Sequence, residues 1–81
     1  MKTVEEMWQE VGPLISIEEP SYTPAMTLAV LERLIGNGYR VTFDAQGVAV
    51  RRFDTGDLAV FIESRVFWEA LLEAYYIMVT G

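Results

Sequence analysis

The fold is decided by residues 39–62, which are YRVTFDAQGVAVRRFDTGDLAVFI. Tyr39, Val41 and Phe43 alternate with polar residues, and this period of two is typical of a half-buried strand. Asp and Gly then recur at residues 44–47 and 54–57, as tight turns require. Because strand-like segments return after each turn, the stretch predicts a three-stranded antiparallel meander.

The alternation divides the predicted sheet into two faces. One face is apolar and is expected to pack on helices: Tyr39, Val41, Phe43, Val48, Val50, Val60 and Ile62. The opposite face mixes charge with aromatic rings: Arg40, Thr42, Ala49, Arg51, Phe53, Ala59 and Phe61. Either the first helix of the chain or a partner protein is expected to cover this second face.

Two helices are predicted before the meander. Thr3 and Glu6 have the spacing of a capping box, and apolar residues follow at helical intervals, which predicts a helix over residues 3–11. Thr23 and Pro24 begin a second helix that ends near residue 35, before a Gly-Asn-Gly sequence. Between them, residues 13–22 are rich in proline, and the apolar residues there fit either a helical turn or an extended segment. These apolar residues are Leu14, Ile15 and Ile17.

A third helix is predicted over residues 64–81, with Ser64 as its N-cap. Its apolar surface is wider than one core contact normally covers. One stripe is expected to face the core: Val66, Phe67, Ala70, Leu71, Ala74, Ile77 and Met78. A second stripe is expected to face a partner: Trp68, Leu72, Tyr75 and Val79. Phe53 and Phe61 on the charged sheet face are expected to extend this predicted interface.

These elements predict an α+β fold, a two-layer domain of order α-α-β-β-β-α in which the meander packs on helices. The chain has 81 residues, of which 52% are hydrophobic. This length and composition predict a single small globular domain over residues 1–81.

Cysteine and histidine are both absent. The lack of cysteine excludes disulfides, thiolate zinc sites and a thiol nucleophile. The lack of histidine removes the commonest general base and transition-metal ligand. Residues 54–57 lack the spacing of a calcium loop. We therefore expect no catalytic residue, no metal and no cofactor, in a protein that is not an enzyme.

Twelve acidic residues against six basic ones give a net charge of −6, which disfavours nucleic-acid phosphates and anionic membranes as partners. Five acids form a candidate acidic face near the start of the chain: Glu5, Glu6, Glu10, Glu18 and Glu19. They either keep the protein soluble or attract a basic partner. No secretory signal or membrane-spanning stretch is apparent, and we expect a soluble, cytoplasmic protein.

The sequence favours a protein–protein interaction module, which either forms a homodimer or binds a protein partner through the aromatic C-terminal helix. It predicts no direct contact with nucleic acid or membrane. The alternative is a small acidic inhibitor, of the kind that phages encode against host defences. Such an inhibitor blocks a basic nucleic-acid-binding surface on a larger host protein complex. The chain carries no family motif that distinguishes the two.

Overall fold

The computed structural model describes residues 2–15 and 19–81 of the chain. The three α-helices are α1 (Val4–Val11), α2 (Thr27–Gly36) and α3 (Phe67–Thr80). The strands are β1 (Tyr39–Phe43), β2 (Gly47–Arg52) and β3 (Leu58–Glu63), and short 3₁₀ helices occupy Gly12–Ile15 and Pro24–Met26. The predicted α+β fold, with its order α-α-β-β-β-α and its antiparallel meander packed on helices, is confirmed.

The start of α1 is the predicted capping box. The Thr3 hydroxyl oxygen accepts a hydrogen bond from the Glu6 backbone N–H at 3.2 Å, and the Glu6 carboxylate accepts one from the Thr3 N–H at 3.0 Å. After α1, Leu14 and Ile15 belong to a 3₁₀ helix, which selects the helical turn over the extended segment. Ile17 and Glu18 lie outside the described residues.

The sheet has the order β1-β2-β3 and both of its pairings are antiparallel. At the first turn, the Asp44 carboxylate accepts hydrogen bonds from the backbone N–H groups of Gln46 and Gly47 at 2.7 and 3.0 Å. Gly47 has a φ of +156°, and a Cβ at this position would lie 2.0 Å from the Ile62 carbonyl oxygen. Only glycine lets β2 approach β3 this closely.

A β-bulge changes the predicted alternation of β3. Val50 is opposite Val60, whereas the next residue of β2, Arg51, is opposite Leu58, so Ala59 is an extra residue in β3. A regular strand would place Leu58 on the same face as Val60 and Ile62. Paired residues share a face, so the extra residue places Leu58 beside Arg51 instead.

The apolar face of the sheet packs on α2 and α3, as predicted. α2 contacts β1, while α3 contacts β2 and β3. Val48 and Val50 of the central strand are fully buried, together with Val30 and Leu34 of α2. The core therefore lies between the central strand and these two helices.

Helix α3 begins later than predicted. Val66, with an extended backbone, occupies the N-cap position, and no side chain caps the helix there. Ser64 is therefore not the N-cap. Its hydroxyl oxygen instead accepts a hydrogen bond from the Val66 N–H at 3.0 Å and closes a turn before the helix.

The burial of α3 also differs from the prediction. Leu72 and Tyr75 were assigned to a partner, but they are 0% and 3% exposed, because α3 packs against α1, α2 and the sheet. Phe67 was assigned to the core but is 42% exposed, since it is the first residue of the helix. The chain itself thus buries the middle of both stripes of α3, whereas Phe67, Ile77 and Val79 towards the helix ends remain about 40% exposed.

Three aromatic rings pack together between α1 and α3. The Tyr22 ring lies 5.2 Å from that of Trp8 and 5.5 Å from that of Trp68, measured between ring centroids. The Tyr22 hydroxyl donates a hydrogen bond of 2.7 Å to the Trp68 carbonyl oxygen, and Trp8 Nε1 donates one of 2.9 Å to the Glu19 carbonyl oxygen. The loop before α2 is thereby fixed to both helices.

Candidate protein-binding face

The face of the sheet that points away from the helices carries both arginines and large apolar side chains. We call it the outer face and define it by Arg40, Thr42, Ala49, Arg51, Phe53, Leu58 and Phe61. The sequence left open whether the first helix covers this face. In the part of the chain that the structure describes, α1 packs against α3 and the adjoining 3₁₀ helix instead. The outer face is therefore left without a helix over it.

Three large apolar side chains give the outer face its hydrophobic surface. Phe53 is 66% exposed, Leu58 51% and Phe61 40%. Leu58 joins this group only through the bulge in β3, because a regular strand would have turned it inward. The group lies on a sheet whose central strand is paired on both sides, so its backbone is held rigidly.

Two arginines lie directly opposite each other on this face. Arg40 of β1 pairs with Arg51 of β2 across the strands. Like charges in such a pair repel each other. Within residues 2–15 and 19–81, the salt bridges join Lys2 to Glu10 and Arg52 to Asp54, so neither arginine of the pair has a carboxylate partner there.

Both guanidinium groups are nevertheless held in position. The Arg40 guanidinium carbon lies 5.2 Å from the centroid of the Phe53 ring, in a cation–π contact. Arg51 Nη1 donates a hydrogen bond of 3.2 Å to the carbonyl oxygen of Gly56 in the second turn. The outer face therefore presents an ordered pair of positive charges beside exposed apolar groups.

The neighbouring Arg52 belongs to a different environment. Its Nε lies 3.4 Å from a carboxylate oxygen of Asp54, and this contact lowers the pKa of Asp54. Arg52 is opposite Tyr39, on the face that packs on helices. As the alternation predicted, Arg51 and Arg52 do not form one basic patch.

The structure separates the six residues of the predicted interface. Phe53 and Phe61 are both on the outer face. Val79 is 41% exposed near the end of α3, and Trp68 is half-buried against Tyr22. Leu72 and Tyr75 are in the core. Leu58 was missed as an outer-face residue, because a bulge is not apparent from the alternation of the sequence.

The predicted acidic face is partly engaged within the chain. The Thr3 backbone N–H and hydroxyl lower the pKa of Glu6, and the Lys2 ammonium group is the largest cause of the lowered pKa of Glu10. Glu5 and Glu19 are exposed. The hydrogen bond from Trp8 to the Glu19 carbonyl brings the Glu19 backbone close to α1. Glu18 is outside the described residues.

The described part of the chain contains no group of three or more Asp, Glu, His or Cys residues that could hold a metal ion. It buries no charged or polar residue among its core side chains. A groove of about 400 Å³ between the first 3₁₀ helix and α2 is open to solvent and contains Glu32 and Arg33. Among the described helices, none is both long and apolar enough to cross a bilayer.

Comparison of the chain with protein-family models, curated proteins and solved structures finds no match in any of the three.

Proposed function

We propose that this chain is a non-enzymatic protein-interaction module that binds its partner through the outer face of the sheet. The expected partner presents one or more carboxylates beside apolar side chains. The observation that carries the proposal is the opposed pair of Arg40 and Arg51 next to Phe53, Leu58 and Phe61. The sequence pattern predicted a contact mainly on α3; because Leu72 and Tyr75 are buried, we propose the outer face of the sheet instead.

The arginine pair supports an acidic partner. The two guanidinium groups repel each other in the isolated chain, and a carboxylate bound between them removes that repulsion. Arginine and aromatic side chains are also the residues that contribute most to binding energy in protein interfaces. In a chain of net charge −6, two arginines that lie directly opposite each other concentrate positive charge on one face of the sheet.

The same combination of basic and aromatic residues resembles sheets that stack nucleic-acid bases. Net charge argues against that use, because phosphate backbones are bound by several cations and an overall negative protein repels them. A protein carboxylate requires only one or two guanidinium groups. We therefore favour a protein partner.

The test is capture of partners from the native host on immobilised protein, followed by binding measurements with the purified partner. The variant Arg40→Gln/Arg51→Gln removes the charge pair, and Phe61→Ser removes an apolar contact. We expect each to weaken binding about tenfold or more. Arg65→Gln is the matched control, because it removes an exposed positive charge that lies outside the outer face.

A partner that binds all four proteins equally contradicts the proposal. A single-stranded RNA oligonucleotide that binds the unmodified chain and is lost with the same two variants assigns the face to nucleic acid instead. A partner lost only with Arg65→Gln places the contact elsewhere on the chain.

The second candidate is the acidic inhibitor, which would use Glu5, Glu6, Glu10, Glu18 and Glu19 against a basic surface. The exposure of Glu5 and Glu19 favours it, since both carboxylates are accessible to a basic surface. Such binding should weaken steeply with added salt and with replacement of Glu5 and Glu19 by Gln. Binding to a basic target that is insensitive to both changes excludes this candidate.

A further inference from the structure

We infer that two copies of this chain associate through the free edge of β1 and the exposed side of α2, forming a symmetric dimer with a continuous six-stranded sheet. This surface is separate from the outer face, so the inference does not depend on the proposed partner binding. Three observations support it. Alternate backbone groups of β1 point away from β2, α2 has exposed apolar residues beside this edge, and the two edges of the sheet differ in charge.

Within residues 2–15 and 19–81, the backbone groups at the outer edge of β1 have no strand paired with them. The Asp44 N–H donates to the Gly47 carbonyl and the Phe53 N–H donates to the Gly38 carbonyl, at the two ends of the β1–β2 pairing. Hydrogen-bonded pairs alternate in an antiparallel ladder, so Arg40 and Thr42 bond to β2. The N–H and carbonyl groups of Tyr39, Val41 and Phe43 therefore point to the free edge.

These edge-directed residues are arranged symmetrically around Val41. Antiparallel pairing with a second copy places Val41 opposite the partner's Val41 and Tyr39 opposite the partner's Phe43. All three side chains belong to the helix-packed side of the sheet, and Phe43 is still 41% exposed there. The dimer would cover this remaining apolar surface with cross-strand aromatic pairs. The same register sets Arg40 opposite the partner's Thr42, so like charges do not meet directly.

Helix α2 supplies an apolar stripe beside the same edge. Leu28 and Ile35 are 62% and 56% exposed, and Leu31 between them is half-buried. Val30 and Leu34 are buried in the core, and Arg33, on another side of the helix, donates a hydrogen bond to the Leu14 carbonyl in the first 3₁₀ helix. Since α2 packs under β1 and α3 packs under β2 and β3, the remaining side of α2 lies towards the β1 edge.

The strand edge and the helix stripe match in length. A strand of five residues is about 17 Å long and a helix of ten residues about 15 Å long. One contact therefore covers both elements along their full length. Because one five-residue strand and one side of a ten-residue helix form the whole contact, we expect weak association, with a dissociation constant of about 10 µM or higher.

The β3 edge is less suited to a second copy. Glu63 ends β3, and Glu69 and Glu73 are only partly exposed on α3, the helix that packs under β3. Dimerisation there would concentrate these acids near the two-fold axis. At the β1 edge, the nearest acid of α2, Glu32, lies in the groove beside the first 3₁₀ helix. Charge therefore favours the β1 edge.

The test is the molecular mass in solution by sedimentation, from about 1 µM to about 1 mM protein. We expect the 9.2 kDa chain to approach twice that mass at the upper concentrations. Leu28→Lys/Ile35→Lys should raise the dissociation constant at least about tenfold, because it places charges in the contact. Val41→Pro should do the same, because it removes an edge-directed N–H that bonds to nothing in β2. Phe61→Ser is the matched control and should leave the dimer unchanged.

Amide hydrogen exchange gives a second measurement that needs no variant. The Tyr39, Val41 and Phe43 amides should exchange more slowly as concentration rises, while those of Arg40 and Thr42 stay protected throughout. A chain that is monomeric at about 1 mM overturns the inference. A dimer that survives the Leu28→Lys/Ile35→Lys variant, or that leaves the Val41 amide unprotected, also overturns it.

Discussion

Helix α3 and the outer face of the sheet both carry more apolar surface than a single packing contact covers, but the chain covers only the middle of α3. The helix is surrounded by the sheet, α2 and α1, which bury Leu71, Leu72 and Tyr75. The sheet has helices on one side only, and Phe53, Leu58 and Phe61 remain exposed on the other. An excess of apolar residues therefore indicates a binding surface only where the topology leaves no further element to cover it.

The largest expected effect compares one residue from each region. Leu72→Ala should lower the free energy of unfolding by about 2–5 kcal/mol, because it leaves a cavity between α3 and its neighbours. Phe53→Ala should change it by less than about 0.5 kcal/mol, because the ring is 66% exposed. Urea unfolding measures both. Equal losses for the two variants would remove the distinction between a covered helix and an open sheet face.

A smaller effect concerns the loop that fixes α1 to α3. Tyr22→Phe should lower the free energy of unfolding by about 1 kcal/mol, because it removes the hydroxyl group that donates a hydrogen bond to the Trp68 carbonyl oxygen. Tyr22→Leu should cost more, since it also removes the ring that contacts both tryptophans. Thermal or urea unfolding tests the order. If Tyr22→Phe is neutral, the loop is not part of what covers α3.

The third prediction tests α1 as the cover of α3. Thr3→Ala should destabilise the protein by about 1 kcal/mol, because it removes the cap of α1. The folded pKa values of Glu6 and Glu10 lie below the ordinary value of 4.5. Their contribution to stability is therefore present above pH 4.5 and is lost as the pH falls through the lower folded values.

Unfolding curves between neutral pH and about pH 3 measure this loss. Glu10→Gln should make the acid loss smaller, because it removes one of the two groups whose pKa is lowered. The contradicting result is an equal loss of unfolding free energy at low pH in three proteins: the unmodified chain, the Glu10→Gln variant and the double variant Glu6→Gln/Glu10→Gln.

The smallest expected effect has the opposite sign. Arg51→Glu should raise the free energy of unfolding by about 0.5 kcal/mol, because it converts a repulsive cross-strand pair with Arg40 into an attractive one. The same change should abolish binding of an acidic partner. Urea unfolding together with the binding measurement checks both. A destabilised Arg51→Glu variant would show that the arginine pair is not under strain in the isolated chain.

Most of the fold was predictable from the sequence because its determinants are local. The capping box of Thr3 and Glu6, the Asp- and Gly-rich turns and the alternation of β1 each depend on neighbouring residues, and each appears in the structure. Ser64 was wrong as an N-cap because a hydroxyl suited to capping α3 also closes a turn before it, and Val66 then takes the N-cap position.

The candidate site was less predictable because it depends on tertiary contacts. The sequence shows that α3 has two apolar stripes, but not that α1, α2 and the sheet all pack on this helix. It also does not show the bulge that moves Leu58 to the outer face. Arg51 and Phe61 were assigned to the correct face from their alternation alone, since strand period is a local property.

The packing of α1 on α3 also determines when the protein can fold during its synthesis. The first helix contacts the last one across most of the chain, whereas the hairpins of the meander form between close neighbours. Until residues 67–80 leave the ribosome, the nascent chain exposes the aromatic loop, one side of α1 and much of the inner sheet. Ordering of the nascent protein is therefore late and concerted, and chaperones that bind exposed apolar segments have their longest access to it before α3 emerges.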